Sequence, residues 1–449
     1  MNFNMPWLIS RKQTIFSSFL DLILIILFTL KFSNEIYIYK LNSEYIILPF
    51  VWLIISYILG RYSKQDNSYK LIIFRNSFVI LLNSIIFFII VTFYSIFLKY
   101  FFEINLFNFS SELFIFGFYL FFSSYIIQTF INIISKKFFT NKKVWLFLGS
   151  QNSYKNLREL INSSRLGISL KKVNIDQIAL NDFYRFNGII YDDINSILEK
   201  DYELFLTLKS QTFLVLSTFE WCEMILQRYP PKLVNSRFLL SNYFCANKKF
   251  VQLRLKRTAE LLISLLLLIF SFPLIIFAAF LIKLEDGGDI FYSQIRTGFA
   301  GNTFKILKLR SMKIDAEKFG VQWSNKNDTR ITKIGSILRL TRLDELPQLI
   351  AVIKGEMSLI GPRPERPEIE KMLEEKIPHY RLRHIMRPGL SGWAQVNYPY
   401  GASVEDTENK LSYDLYYLKN FSIFLDILIL FKTIKIVFKA SGAIPNSKG

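Results

Sequence analysis

The 449-residue chain reads as a membrane protein of mixed class, α plus α/β, and three observations carry that reading. Its first third holds four apolar stretches, near residues 13–32, 45–60, 71–98 and 113–135. Residues 144–245 alternate short apolar strands with polar helical patterns. A fifth apolar run then leads, from Gly287 onward, into sequence dense in charged and turn residues. The expected layout is a four-helix transmembrane bundle over 1–140, a small Rossmann-like α/β domain over 141–250 and an α+β domain over 251–449. The last of these carries a re-entrant membrane helix near 259–282 and interfacial amphipathic helices toward its end.

Composition sets the frame. Hydrophobic residues make up 51 % and aromatic residues 16 %, with 45 Phe, which is too apolar for a typical soluble chain of this length. The net charge of +19 suits anionic headgroups, phosphorylated substrates or nucleic acid, and does not choose among them. Two cysteines, Cys222 and Cys245, in no metal-like spacing, argue against a disulfide framework and suit a reducing compartment. Two histidines, His379 and His384, leave little room for a His-rich metal site, and their Arg-rich surroundings point to surface or packing roles. No signal peptide is expected, because the run at 13–32 is too long for an h-region and lacks a small-residue cleavage site.

A hydrocarbon core of ~30 Å takes about 20 helical residues. The first and fourth stretches fit that length; the second is short, and the third is long and interrupted by Arg75. Basic flanks set the orientation. Arg11 and Lys12 precede the first span, Arg61, Lys64 and Lys70 lie between the second and third, and Lys136, Lys137, Lys142 and Lys143 follow the fourth. The other two loops carry Glu35, Lys40 and Glu44, and Lys99, Glu103 and Glu112. The positive-inside rule therefore puts both ends of the block in the cytoplasm.

Val144 to Gly149 reads as a buried strand ending in glycine, a polar helix follows at 153–163, and strand-like runs recur at 168–174, 188–191 and 212–216. That alternation predicts a parallel sheet. The turn after the first strand is Gly149-Ser150-Gln151-Asn152-Ser153, not G-x-G-x-x-G, so the dinucleotide fingerprint is absent and a structural or dimer-forming role is favoured.

The fifth run, Ala259 to Ile282, follows Arg254, Lys256 and Arg257. A straight helix of that length would reach ~36 Å, enough to span. Pro273 in its middle removes a backbone hydrogen bond and clashes with the preceding turn. Crossing would also export the basic remainder of the chain. A helix broken at Pro273, entering and leaving on one side, is the expectation; a Pro-kinked fifth span is the alternative.

Phe291 to Arg296 and Phe304 to Met312 form a hairpin pattern around Gly298 to Asn302. Lys308 and Arg310, two apart, share a strand face and suit a phosphate group as well as a solvated basic face. In Arg339-Leu340-Thr341-Arg342-Leu343-Asp344-Glu345-Leu346-Pro347-Gln348-Leu349, a helix is expected from Leu346 to Ile353, with Pro347 in its first turn and Asp344 near the N-cap. Taken locally, an Asp N-cap is ordinary helix punctuation. The same geometry offers unpaired N–H groups and a positive dipole to phosphate, and favours an ionised carboxylate able to act as a nucleophile. Adjacent helical residues do not share a face, so Asp344 and Glu345 suit two jobs: one to attack phosphorus, one to hold a divalent cation against a diphosphate. Gly361-Pro362-Arg363-Pro364 fixes a stiff turn around a guanidinium that matches phosphate oxygens. Arg387-Pro388-Gly389 opens a second basic, glycine-rich loop that leads into a strand-like end at 393–397. The tail, Leu411 to Lys439, is apolar but broken by Asp414, Lys419, Asp426, Lys432 and Lys435, a pattern of interfacial helices.

Together these segments, roughly 251–439, resemble the bacterial sugar transferase family, the monotopic phosphoglycosyl transferases, in a long form similar to undecaprenyl-phosphate galactose or glucose phosphotransferases. The resemblance rests on Lys256-Arg257, the Pro-broken apolar helix, the two hairpin strands, Leu343-Asp344-Glu345-Leu346-Pro347-Gln348, Gly361-Pro362-Arg363-Pro364 and Arg387-Pro388-Gly389. It implies a ping-pong reaction in a bacterial inner membrane, on the cytoplasmic face of a multi-pass protein. Asp344 attacks the β-phosphate of a UDP-sugar, UMP leaves, and polyprenyl (undecaprenyl) phosphate takes the phosphosugar, starting exopolysaccharide, O-antigen or capsule assembly. Glu345 would bind Mg²⁺, and Arg339, Arg363, Lys308, Arg310 and Arg387 would bind substrate. UDP-sugar, polyprenyl phosphate and membrane lipid are the expected partners, with a homodimer left open and nucleic acid excluded for want of a binding motif. The chain departs from the family's usual residues at Glu260, Phe272 and Leu309. The competing reading is a catalytically silent membrane scaffold for glycan-assembly enzymes.

Overall fold

The computed structural model describes residues 11–36, 47–62, 69–102, 112–139, 143–164, 167–173, 185–192, 199–210, 213–234, 250–314, 316, 328–398 and 403–438. Lys40, Glu44, Lys64, Glu103, Lys142 and Cys245 lie outside the described residues. By its internal contacts the chain divides into two compact units, Leu8–Lys143 and Val144–Gly449.

In the first unit each apolar stretch is helical: α1 (Lys12–Ile36), α2 (Ile47–Ile58), α3 (Tyr69–Phe102) and α4 (Glu112–Phe139). α1 packs on α2 and α4, and α3 on α2 and α4. The 12 residues of α2 reach only about 18 Å. α3 contains Ser77–Tyr94, one of two stretches among the described residues long and apolar enough to cross a bilayer. The helices also enclose a polar centre. Arg61 is buried, 3.1 Å from Asp21. Tyr62 Oη donates to Asp21 Oδ2 (2.6 Å), Ser124 Oγ to Asp21 Oδ1 (3.0 Å), and Asn83 Nδ2 to Ser56 Oγ (3.0 Å). Arg61 is therefore not the exposed basic flank that its loop position suggests. Its charge is neutralised inside, as burial of an ion requires.

The second unit begins with an α/β segment. Strands β1 (Lys143–Leu148), β2 (Ile168–Lys172), β3 (Ile189–Tyr191) and β4 (Val215–Ser217) form one sheet in the order β2-β1-β3-β4, with β1/β3 and β3/β4 parallel. Helices α5 (Gln151–Ser163) and α6 (Glu199–Ser210) join them. β1 alternates between two cores: Trp145 and Phe147 pack with Leu157 and Ile161, and Leu146 with Phe205 and Leu208. Burial on both faces explains its unbroken apolar run. Ser150 caps α5, its Oγ accepting from Ser153 N (3.1 Å). After β4 come α7 (Thr218–Trp221) and a π-helical turn, Cys222–Leu226, that ends in left-handed Gln227 (φ 54°).

The long helix α8 runs from Phe250 to Asp286 and stays helical through Pro273, so the expected break does not interrupt the secondary structure. One stripe of it, Lys256, Glu260, Ser264, Ser271, Ile275, Ala278 and Ile282, is buried, while Leu262, Leu266, Phe270, Phe277 and Phe280 are exposed. The stripe explains how a Leu-rich helix accommodates Lys256 and Glu260. Lys256 Nζ lies 3.3 Å from Glu260 and 2.8 Å from Asp426, and donates to Ile360 O (2.8 Å). Glu260 also accepts from Leu359 N (3.1 Å) and from Ser358 Oγ.

The hairpin β5 (Phe291–Thr297) and β6 (Thr303–Leu309) is antiparallel, with Lys308 opposite Tyr292. Beyond it follow α9 (Lys333–Thr341), a 3₁₀ segment (Leu343–Gln348), α10 (Leu349–Lys354), β7 (Ser358–Ile360), α11 (Pro367–Lys376), a second 3₁₀ segment (Tyr380–Ile385), β8 (Gly389–Ser391), α12 (Trp393–Asn397), α13 (Val404–Asn420) and α14 (Ile423–Phe438). β7 and β8 pair in parallel. Their approach demands glycine: a Cβ on Gly361, Gly389 or Gly392 would fall 2.0–2.3 Å from backbone atoms of the facing segment. The expected strand at 393–397 is instead α12, with Trp393 and Ala394 buried.

α13 overturns the interfacial reading of the first half of the tail. Leu411, Leu415, Tyr416, Tyr417 and Leu418 lie in the main core with Leu349, Val352, Met357 and Trp393. The charges that break the apolar run are paired inward: Asp414 with Arg383 (3.2 Å), Lys419 with Glu223 (2.8 Å) and Asp426 with Lys256. α14 differs, exposing Phe424, Ile427, Phe431, Ile434 and Val437 while burying Leu425 and Ile429.

Candidate active site

A cavity of about 1000 Å³ opens between α8, β6, the 3₁₀ segment at 343–348, α12, α13 and α14. α9 ends at Arg342, whose left-handed backbone (φ 61°) both caps it and turns the chain into the 3₁₀ segment. Asp344 is consequently the second residue of a 3₁₀ turn, not a helix N-cap. Asp344 and Glu345 are 6 % and 8 % exposed, yet both line the cavity.

The two carboxylates differ in their surroundings. Glu345 Oε1 accepts from Arg363 Nη2 (2.6 Å) and Lys308 Nζ (3.2 Å), and Arg342 Nη1 lies 3.6 Å from Oε2. Burial works to raise its pKa, but Arg363, Lys308 and Arg342 together outweigh it and hold the group well below the usual carboxylate range. Asp344 has no such clamp, and its Oδ1 finds no hydrogen-bond partner among the described residues. Burial, with the neighbouring Glu345 charge, lifts its pKa to about 6, against the pull of Lys308, Arg339 and Arg342. Asp344 does not sit at a helix N-terminus and burial raises its pKa, so the expected bias of a helix terminus toward the ionised form does not arise here. Burial also lowers the Lys308 pKa, opposed by Glu345.

Of the expected substrate-binding residues, Lys308, Arg310, Arg339 and Arg363 line the cavity together. Lys308 and Arg310 do not act as a pair, because Lys308 reaches Glu345 while Arg310 ion-pairs with Asp286 at the end of α8. Arg387 is not brought in. It is exposed, its guanidinium 5.9 Å from the Phe299 ring centroid. Arg296, Arg342, Arg366, Arg383, Lys410 and Asp414 also line the cavity, and sequence reasoning did not assign them. Arg342 and Arg296 stood inside motifs already singled out; the others carry no local signal. His384 Nε2 lies 3.0 Å from Glu370 and His379 Nε2 3.1 Å from Val234 O, so both histidines serve packing. The lining also includes apolar residues, Ile263 and Leu267 of α8 and Leu430, Ile434 and Val437 of α14.

Among the described residues no group of three or more His, Cys, Asp or Glu could hold a metal unaided. The partner-free oxygen of Asp344 could offer one ligand to Mg²⁺, which is commonly held by one or two carboxylates with substrate phosphates and water completing its shell, whereas Glu345 would have to exchange Arg363 or Lys308 for the metal.

Residues 251–440 match the bacterial sugar transferase family. A UDP-N-acetylgalactosamine-undecaprenyl-phosphate N-acetylgalactosaminephosphotransferase of Aeromonas hydrophila is 44 % identical over 189 residues, 42 % of this chain and 45 % of the relative. The UDP-glucose:undecaprenyl-phosphate glucose-1-phosphate transferase of Escherichia coli K12 is 38 % identical over 182 residues, 40 % of this chain and 39 % of the relative. The chain thus spans less than half the length of these two. The exopolysaccharide production protein PSS of Rhizobium leguminosarum is 40 % identical over 190 residues, 41 % of this chain but 95 % of the relative. With a relative 40 % identical and covered over 95 % of its length, the chain belongs to the bacterial sugar transferase family.

Proposed function

We propose that the chain transfers a sugar-1-phosphate from a UDP-sugar to undecaprenyl phosphate through a covalent intermediate on Asp344. One observation carries the reading. A buried carboxylate oxygen without a partner faces a cation-lined cavity, next to a carboxylate that three cations hold ionised. The names of the Aeromonas and Escherichia relatives support the donor and acceptor classes.

Asp344 attacks the sugar-bearing phosphorus. The Asp–O–P bond forms, the P–O bond to the nucleotide breaks, and UMP leaves with the electron pair. An oxygen of undecaprenyl phosphate then attacks the same phosphorus, the Asp–O–P bond breaks, and the carboxylate is restored. Arg339, Arg342 and Lys308 face the charge gathered on the phosphoryl oxygens, and Arg363 can turn from Glu345 to a phosphate in bidentate fashion. Mg²⁺ bound by Asp344 or Glu345 would neutralise diphosphate charge. A nucleophile with a pKa near 6 is largely ionised at neutral pH.

The apolar lining contributed by α8 and α14 suits the lipid chain of the acceptor, while the lining guanidinium groups suit a soluble diphosphate. α8 serves as a re-entrant anchor, α14 lies at the interface, and α1–α4 cross the inner membrane with the catalytic domain (251–449) on the cytoplasmic side, as the basic flanks indicate. The test is a panel of UDP-sugars offered to membranes containing the protein and undecaprenyl phosphate. UMP release from at least one of them is expected; none from any would refute the reading.

A further inference from the structure

Behind the cavity lies a segment from outside the family-matched region. Residues 227–234 leave the π-helical turn of the α/β segment and enter the transferase core, where Tyr229 and Val234 are buried among Leu349, Val352 and Tyr416. The family match begins at residue 251, so the strap lies outside it.

We infer that Gln227–Val234 positions two walls of the substrate cavity, acting through Trp393 and His379. At one end, Gln227 O accepts the indole N–H of Trp393 (3.0 Å). Trp393 is the first residue of α12, stacks on Tyr416 (5.8 Å) and takes the Lys432 ammonium over its face (4.5 Å). The next four residues of α12 line the cavity. Between the ends, Arg228 donates to Asn409 of α13 (3.2 Å) and to Leu160 O of α5 (3.0 Å), and Tyr229 N donates to Ser412 O (2.8 Å). At the other end, Val234 O meets His379, the left-handed residue that starts the 3₁₀ segment carrying Arg383. Arg383 donates to Arg363 O (2.7 Å) and so fixes the turn whose guanidinium holds Glu345. The strap touches neither reacting atom. Its residues are positioning residues, and they tie the α/β sheet to substrate geometry.

The kinetic arm of the test rests on the transferase reading; the exchange arm does not. In the full-length protein in membranes, Trp393→Phe removes the indole N–H while leaving a smaller aromatic ring, and Arg228→Met removes both bridges. Each is expected to raise the KM for the UDP-sugar about tenfold, the scale of one buried hydrogen bond, with kcat within about twofold. Because both act through one strap, the double variant should fall short of the product of the single effects. Amide exchange at 393–398 and 380–385 should accelerate in both variants. Unchanged exchange at both walls with unchanged KM overturns the inference, as does a fall in kcat at constant KM. A wild-type protein that releases no UMP refutes the transferase reading instead, and exchange still decides the strap.

Discussion

Replacing Asp344 by Asn should abolish transfer and, at the same time, make the protein more stable. The carboxyl titrates at about 6 in the folded chain against an ordinary value of 3.8, a rise of roughly two units. At 1.36 kcal/mol per unit, ionising Asp344 in the fold costs about 3 kcal/mol more than in the unfolded chain. The sign follows from linkage. Folded Asp344 binds its proton more tightly, so this group's contribution to stability is full below the unfolded pKa and is lost as pH rises through 6. Asn has nearly the shape of the protonated acid and no charge to desolvate. Near pH 8 the variant should gain up to about 3 kcal/mol, worth about 6 °C in melting temperature at roughly 2 °C per kcal/mol for a unit this large. By about pH 5 the wild type is already mostly protonated at this site, and the gain should shrink to roughly half. Thermal melts of both proteins in detergent at the two pH values, beside UMP release, supply the assay. A variant that melts at or below wild type near pH 8, or an advantage that does not shrink in acid, would refute the argument that desolvation raises this carboxyl. Full activity in the variant would remove Asp344 as nucleophile.

The other expected outcomes use the same site and its supports. Arg363→Ala removes the shortest contact to Glu345, so kcat/KM should drop about 10- to 100-fold, the worth of a charge-assisted hydrogen bond; an unchanged kcat/KM would contradict the clamp. Lys256→Met leaves Glu260 and Asp426 buried without their cation, and a loss of about 3–5 kcal/mol is expected in melts near pH 8; no loss would show the network to be ornamental. Thorough chelation should stop UMP release and added Mg²⁺ restore it, and turnover that survives chelation would remove the metal role assigned to the acid pair.

Periodicity and turn chemistry made much of the secondary structure legible. The four apolar stretches, β1, the helix after it and the β5–β6 hairpin fall within a few residues of their expected places, because each depends on neighbours in sequence. What escaped depends on distant partners. Arg61, Asp414 and Lys419 each interrupt apolar sequence and so read as exposed, yet each is neutralised by a residue 40, 31 and 196 positions away. The acid pair was legible as a motif, but not the split in its pKa values, which arises from burial and from cations on β6 and on the 362–364 turn. Arg387 shows the converse: a basic residue in a Gly-Pro loop looks the same in sequence whether or not the fold turns it toward the cavity.

The re-entrant placement proposed for α8 rests on an argument from contacts. As a straight helix its 37 residues would reach about 55 Å, well beyond a hydrocarbon core of ~30 Å. Near its start, Lys256 and Arg257 are held by Asp426 and by the carbonyls of Val352 and Ile353. At its end, Glu285 accepts from the backbone N–H groups of Lys333 (2.8 Å) and Ile334 (3.2 Å), and Asp286 pairs with Arg310. Both sets of partners belong to one compact unit, and the buried stripe between them never leaves that unit's surface. A crossing helix would have to carry the far partners, with their charges and unpaired backbone groups, through hydrocarbon, at several kcal/mol for each unsatisfied group. Keeping both ends on one side, with only the exposed Leu and Phe residues sunk into lipid, avoids that cost and leaves Asp344 where a soluble diphosphate and a lipid phosphate can both reach it.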